Sequence, residues 1–435
     1  MTRTTPLPRV AVLVDLQRHS GAGGHVRFWE QIGRVASEQP LNVRLDLHFR
    51  GENDTVEQWS QWVTVYAHRP VLSSERLHWL RGMPDSGDLA PWHDRLAVRI
   101  ADAQLLHCTD GLFAYAATAR RCARRMRVPL VTSLHTDAVR YGHVYTDYAI
   151  AQLAGTRVAE LLRKARVPGM VQSWLQRRLR RHVTASDWVM DSHRSHCDAE
   201  VDAGRSILRR GLDRTVFRPD VDAGRRLRAE LGVPPKALLM AFTGRLSPGK
   251  QVQRVAAVVR ALRARHLDVR AVFAGAGPEL PVLRQALGPH GYFLGQVPAT
   301  RVSAMLNAAD LFLFPSQIEV WPNAVNEARA CGVAVLVDAD GGGRIVSQSG
   351  EDGAIAARDD ASWVDAAHNL LLNQDARARM AARALAISLR AVPGWYDVLE
   401  QDLLPVWHAL MTARAEAGQS ANLLLGEPKF IGSAR

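Results

Sequence analysis

Cysteine is scarce in this chain and lysine is almost missing. The 435 residues hold four cysteines, Cys108, Cys122, Cys197 and Cys331, far apart and without a C-x-x-C pair. That spacing excludes a disulfide framework and a zinc ribbon. No apolar run approaches the roughly 18–20 residues that span a bilayer. The opening MTRTTPLPRVAVLV passes from a polar stub straight into a strand-like run. It lacks the apolar core and cleavage site of a secretory signal, so a soluble cytoplasmic chain is expected. No repeat of fixed period is present.

The lack of lysine decides how the net charge is read. Fifty-five basic residues against 43 acidic ones give +12, which taken whole would suggest nucleic acid or an anionic membrane. Only Lys164, Lys236, Lys250 and Lys429 are lysines, so the excess is arginine, as a coding bias produces. No RNA-binding aromatic motif accompanies it, and no nucleic-acid partner is expected. A composition of 47% hydrophobic and 23% charged residues is that of a globular protein. The length suits two or three domains.

Short β-branched runs alternate with helical patterns. RVAVLV (9–14), NVRLDLHF (42–49) and VPLVTSL (128–134) read as strands in the first half. In the second half ALLMAFTG (237–244), VRAVFAG (269–275), GYFLG (291–295), ADLFLFPS (309–316) and VAVLVDA (333–339) continue the series. Such alternation predicts parallel sheets with right-handed crossovers. The proline-bearing stretch 217–235 separates the halves, and 392–416 reads as a long apolar-faced segment interrupted by Pro405. The expected organisation is two Rossmann-like doubly wound α/β domains, 1–217 and 218–391, facing across a cleft. A helix over 392–416 and a tail over 417–435 follow. In folds of this kind ligands bind beyond the strand C-termini, which directs attention to strand–helix junctions.

Two junctions stand out. In FPSQIEVWPNAVNEARACG (314–332) a buried strand ends at Pro315-Ser316, a loop carries Glu319, and Pro322 suits a first helical position. Glu327 follows Glu319 by eight residues. Two carboxylates so placed can accept hydrogen bonds from a polyol, while free N–H groups at the helix start face a phosphate. In FTGRLSPGKQV (242–252) Arg245 follows the strand and Lys250 opens the next helix. A forked guanidinium beside an ammonium suits a diphosphate.

GRLSPGK, VFAGAGP (272–278), FLGQVP (293–298) and FPSQIEVWPNAVNEARACGVAV (314–335), in this order, resemble the C-terminal domain of glycosyltransferase family 4. The resemblance implies a GT-B fold and a retaining, metal-independent transferase that uses a nucleotide-sugar donor. It places Arg245 and Lys250 on the donor diphosphate, Glu319 on the hexose hydroxyls and Glu327 on the ribose. Pro322, Asn323 and Ala324 fit the loop whose backbone amides lie near the sugar and phosphate, and Ser316 at the strand end is a further donor-binding candidate. Val320 stands where the family commonly has glycine, which leaves the donor sugar open.

The first half supports the same likeness. In CTDGLFAYAATARRCARRMRVPLVTSLHTDAVRYG (108–142), His135 matches the family position that approaches the donor sugar. SGAGGHV (20–26) resembles the glycine-rich first loop, with Gly23 and Gly24 beside the donor. It is no dinucleotide fingerprint, because Val26 occupies the third glycine position, and GAGPEL (275–280) fails likewise at Leu280. RRGLDRTVFRPD (209–220) resembles the segment before the linker, and WYDVLEQDLLPVWHAL (395–410) the terminal helix that recrosses to the first domain. The catalytic set is therefore expected to be Arg245, Lys250, Glu319 and His135.

No metal and no cofactor is expected. Asp338-Ala339-Asp340 has the D-x-D spacing of a metal site, but it follows a strand and precedes three glycines, as a loop would. His193, His196 and Cys197 lack a fourth ligand at suitable spacing. The charge clusters instead in 157–182, where eight Lys/Arg face one acid, Glu160. There Val171, Trp174, Leu175 and Leu179 fall near one helical face, with Arg177, Arg178, Arg180 and Arg181 at its end. This outline fits an interfacial helix on an anionic membrane, and equally an amphipathic helix packed on its domain. The acceptor, lipid-linked or glycan, stays open. Rival functions are a sugar phosphorylase or disaccharide synthase, or a non-catalytic basic membrane-associated adaptor on the same scaffold.

Overall fold

A computed structural model describes residues 6–19, 21–73, 87–137, 146, 150, 157–191, 204–317, 319 and 321–424. His193, His196, Cys197 and Val320 lie outside the described residues. The first half holds strands β1 (Arg9–Gln17), β2 (Arg44–Arg50), β3 (Thr55–Gln58), β4 (Val63–His68), β5 (Leu105–Thr109), β6 (Leu130–Leu134), β7 (Trp188–Asp191) and β8 (Gly204–Ile207). They form one sheet in the order β3-β4-β2-β1-β5-β6-β7-β8. All neighbours are parallel except β3, which pairs antiparallel with β4. The second half holds β9 (Leu238–Thr243), β10 (Val269–Ala274), β11 (Gly291–Gly295), β12 (Leu311–Phe314), β13 (Val335–Asp338) and β14 (Ala354–Ala356). Their sheet is wholly parallel, in the order β11-β10-β9-β12-β13-β14.

Both central strands are buried on two faces, which explains their unbroken apolar runs. In β1, Val10, Val12 and Val14 pack with Phe28, Trp29 and Ile32 of the helix Gly24–Glu38. Ala11 and Leu13 point the other way, onto Leu96, Tyr115 and Ala119. In β9, Leu239 and Ala241 join one core while Met240 and Phe242 join the opposite one. The order reverses at β1, between β2 and β5, and at β9, between β10 and β12. Each reversal opens a crevice beyond the strand C-termini. The Gly21–Gly24 loop, Asp110, Arg245 and Glu319 stand at those ends.

The terminal helix recrosses to the first domain. Val398, Leu399, Leu403 and Trp407 are buried in the same core as Val10 and Trp29. Pro405 does not interrupt it. The chain runs as helix from Trp395 to Val398, as a π turn over Leu399–Leu403, and as helix again from Leu404 to Leu424. The wider π turn accommodates a residue with no N–H and a bulky ring. The helix thus continues into the stretch expected as a tail.

Other boundaries differ by a turn or less. Lys250 closes a single 3-10 turn, Pro248–Lys250, and the α-helix begins at Gln253 after Gln251 takes φ 48°. Pro322 caps the next helix, which starts at Asn323. The helix Val167–Val183 packs inward through Leu175, Leu179 and Val183 against Leu112, Leu134 and Val189, with Val171 half-buried beside them. Trp174 leaves that face and is exposed. The four apolar residues expected on one interfacial face are therefore divided between two.

Candidate functional site between the two sheets

The second domain contributes a bonded trio. Lys250 Nζ pairs with Glu319 Oε1, and Ser316 Oγ donates to the same oxygen at 2.8 Å. Lys250 also lies 6.0 Å from the Phe314 ring centre. The end of β12 places Ser316 and Glu319, and the turn after β9 brings Lys250 to them across 69 residues of sequence. Ser316 is fully buried and does not line the cleft. It was expected to touch the donor; instead it positions Glu319.

The glycine loop of the first domain lies against this trio's neighbours. A Cβ on Gly23 would sit 3.9 Å from the Arg245 guanidinium, and one on Gly24 only 3.0 Å from the Asn323 amide. A Cβ on Gly21 would overlap Gln296. Residues without side chains let the two domains meet here, backbone to side chain.

His135 is held from several sides. Its N–H donates to Asp110 Oδ1 at 2.6 Å, and Nε2 meets Ser133 Oγ at 2.8 Å. Its ring stacks on His25 with centroids 4.3 Å apart. Burial and the neighbouring His25, Arg210 and His107 push its pKa well below the usual value, so the imidazole is neutral. Nδ1 has no hydrogen-bond partner among the described residues. Asp110 lies 3.2 Å from His25 Nδ1. Burial works to raise the Asp110 pKa, yet His25 and the backbone N–H of His135 outweigh it and hold the carboxyl below the ordinary range.

Glu327 behaves differently. Burial pushes its pKa up to about 7, opposed only by Arg27 of the first domain. Arg210 is 96% buried, its guanidinium 4.7 Å from the Phe28 ring centre, with Nε and Nη1 unpaired. Burial pulls its pKa down to about 10 against the attraction of Asp110 and Glu319. An unpaired buried guanidinium is costly unless an anion or polar ligand completes it. Its neighbour Arg209 instead grips Asp402 of the terminal helix through Nε and Nη2, the latter at 2.7 Å. A Cβ on Gly211 would strike Trp395, so the two crossing segments lie in contact.

Arg245, Lys250, Glu319, His135, Glu327, Gly23, Gly24, Asn323 and Ala324 all line one cavity of about 360 Å³. Arg210, His25 and Arg27 line it too. His25, Arg210 and Asp110 stand inside motifs quoted above without being singled out there, and Arg27 directly follows the glycine-loop motif. A carboxylate flanked by a turn glycine in CTDG and a basic residue at the linker in RRGLD were the available signals. The D-x-D pair is structural. Asp338 accepts from the Asp340 N–H at 2.9 Å and from Gln317 at 3.2 Å, and Asp340 pairs with Arg358. Among the described residues no group of three His, Cys, Asp or Glu could hold a metal ion.

Two facing doubly wound sheets with a recrossing helix define the GT-B fold, and residues 225–386 match the family of glycosyl transferases group 1. Sucrose-phosphate synthase from Thermosynechococcus elongatus aligns with a TM-score of 0.67 at 16% identity, covering 93% of this chain and all of that one. The Anabaena protein HepE, solved with UDP and glucose, aligns at 0.65 and 16% identity over 91% of this chain and 98% of its own. In sequence the chain is similar to D-inositol 3-phosphate glycosyltransferases. That of Corynebacterium efficiens is 31% identical over 204 residues, 44% of this chain and 48% of the relative. That of Xylanimonas cellulosilytica is 32% identical over 295 residues, 63% and 64% of the two chains. The chain thus spans about half the length of the first of these relatives.

Proposed function

We propose that this protein is a retaining glycosyltransferase of family 4, moving a hexose from a nucleotide-sugar donor to an acceptor hydroxyl without a metal ion. The observation that carries the reading is the juxtaposition of Lys250, Glu319 and Arg245 from one domain with His135 and the glycine loop from the other. Lys250 and Arg245 neutralise the charge that builds on the departing diphosphate, the step where fixed cations contribute most. Glu319 and the neutral His135 hold the hexose from opposite sides, and Glu327 anchors the ribose. No side chain here is assigned as general base; the leaving phosphate takes the acceptor proton.

The acceptor enters from the first domain. Buried Arg210, whose Nε and Nη1 have no hydrogen-bond partner among the described residues, favours an acceptor carrying an anionic group, as a phosphorylated or lipid-phosphate-linked glycan precursor does. The names of the sequence relatives, acting on an inositol phosphate, agree with such an acceptor. Among the described residues no helix is long and apolar enough to cross a membrane. Peripheral contact with an anionic surface is assigned to 157–182, whose outward face carries Met170 and Trp174.

Thermal-shift screening against UDP-, GDP- and ADP-sugars tests the proposal, followed by product analysis with the best donor. One nucleotide sugar should raise the melting temperature and be turned over with retention. No shift with any of them, or release of a sugar phosphate from inorganic phosphate, would refute it.

A further inference from the structure

A second concavity, in the first domain, lies away from the cleft. It has a volume of about 790 Å³ and sits between the helices Ala114–Met126 and Val167–Val183. Pro129, Leu130 and Asp187 floor it, at the N-terminal ends of β6 and β7. His135 and Asp110 stand beyond the opposite ends of these strands, so a sheet length of roughly 15 Å separates the two places.

Arginine dominates its walls. The first helix and its left-handed cap supply Arg120, Arg121, Arg124 and Arg127. The second supplies Arg178 and Arg181, and Arg414 comes from the terminal helix. Among the described residues Asp187 is the only acid lining the concavity, and its carboxylate accepts from the Leu130 N–H at 2.7 Å. None of the seven arginines forms an ion pair among the described residues. The C-termini of both helices offer about half a negative charge each, roughly one unit in all against seven. Five or so positive charges remain uncompensated.

The groove is also supported from below. Arg120 Nη1 is held 2.9 Å from His182 Nδ1, whose Nε2 meets Thr132 Oγ1 at 3.0 Å. Burial, and then Arg120, pushes the His182 pKa down to about 3, so it stays a neutral acceptor that fixes the guanidinium in place. Arg178 stacks 4.9 Å from the Trp174 ring centre and Arg121 5.7 Å from that of Trp92. Burial and like-charge neighbours hold Arg120 and Arg178 below the ordinary guanidinium pKa. An anion would relieve that repulsion. Arginine forks match phosphate oxygens in pairs, and the volume suits a compact ligand.

We propose that this groove is a binding site for an anion bearing two or more phosphate groups, separate from the donor diphosphate site. Seating such an anion would join Arg414 of the recrossing helix to Arg124 and Arg181 of the first domain, and so brace the element that links the domains. The ligand is either soluble or the headgroup of an anionic phospholipid, and both present the same chemistry.

The test uses the full chain, titrated calorimetrically with tripolyphosphate. The wild type should show two sites, one of which Lys250→Ala removes. Arg124→Glu with Arg181→Glu, both exposed positions, should remove the other, weakening it about 100-fold or more as two charged hydrogen bonds are lost. The melting shift with a nucleotide sugar should stay unchanged in that variant, which separates this site from the cleft. Arg124→Gln with Arg181→Gln gives a milder form if charge reversal disturbs folding. In a second arm, vesicles containing cardiolipin, whose headgroup carries two phosphates, and vesicles of neutral phosphatidylcholine are co-sedimented with each protein at low salt. Loss of only the tripolyphosphate site marks a soluble ligand; loss of binding to the cardiolipin vesicles marks a lipid-borne one. Unchanged behaviour of the groove variants towards both probes overturns the proposal.

Discussion

Removing the Lys250 ammonium should disable the cleft without unfolding the protein. Lys250 and Glu319 side chains are 19% and 14% exposed, so their pairing is only partly screened by water. In Lys250→Ala, Glu319 keeps the Ser316 hydroxyl and the attraction of Arg210. Breaking a fully buried pair costs about 3–5 kcal/mol, and partial exposure brings the expected loss of stability to about 1–3 kcal/mol. The effect on rate is larger in consequence. A cation aimed at charge developing in the transition state contributes about 2.7–4 kcal/mol, so transfer should fall about 100- to 1,000-fold. Glu319→Gln should reduce turnover too, because the carboxylate pairs with Lys250 and, in the proposed mechanism, holds the hexose. Since the two side chains act through one contact, the double variant should lose less than the sum of the singles, by at least about 0.5 kcal/mol. Transfer is measured by nucleotide release with donor and acceptor, and folding by circular dichroism. Wild-type turnover in either single variant, or strict additivity in the double, would refute the assigned roles.

Three further outcomes follow from particular contacts. Trp407→Ala empties a fully buried site and removes the 3.0 Å hydrogen bond from Nε1 to His107. A cost of about 3–5 kcal/mol should lower the thermal midpoint by roughly 6–20 °C, and an unchanged midpoint would contradict docking of the terminal helix. Glu327, with its pKa near 7, is largely neutral below that pH, so nucleotide affinity should rise between about pH 6 and 8. Its stability effect runs the other way: the unfolded carboxyl ionises first, near 4.5, and stability falls as pH rises towards 7. Glu327→Gln should flatten both profiles in titrations and melts. Arg210→Gln should raise the KM for an anionic acceptor at least tenfold while leaving the nucleotide melting shift intact, and an unchanged acceptor KM would remove it from acceptor recognition.

Junction chemistry was legible before any coordinates. Arg245, Lys250, Glu319 and Glu327 each lie at a strand end or first helical turns, where the identity of a few adjacent residues sets the local geometry. The β1 and β9 runs were equally plain, because burial on both faces demands continuous apolar sequence. Strands β3 and β5 were harder. TVEQ is exposed throughout, and LLHCT hides a buried histidine, so neither shows the period or purity that marks a strand. Pro405 pointed to a break that a π turn absorbs.

By itself the sequence determined two α/β halves with parallel strands, which depend on periodicity, and its short-range motifs singled out Arg245 and Lys250 as candidate diphosphate ligands; the recrossing helix followed from the family resemblance. Tertiary structure alone decided which groups meet. It turned Ser316 from a ligand contact into a support for Glu319, set the Arg210 guanidinium over Phe28, and stacked His135 on His25. It also resolved the net charge of +12. Arginines from three helices, spaced over nearly 300 residues, converge on one groove because the sheet brings those helices side by side. Composition counts charges, while only packing determines which of them lack a counter-ion.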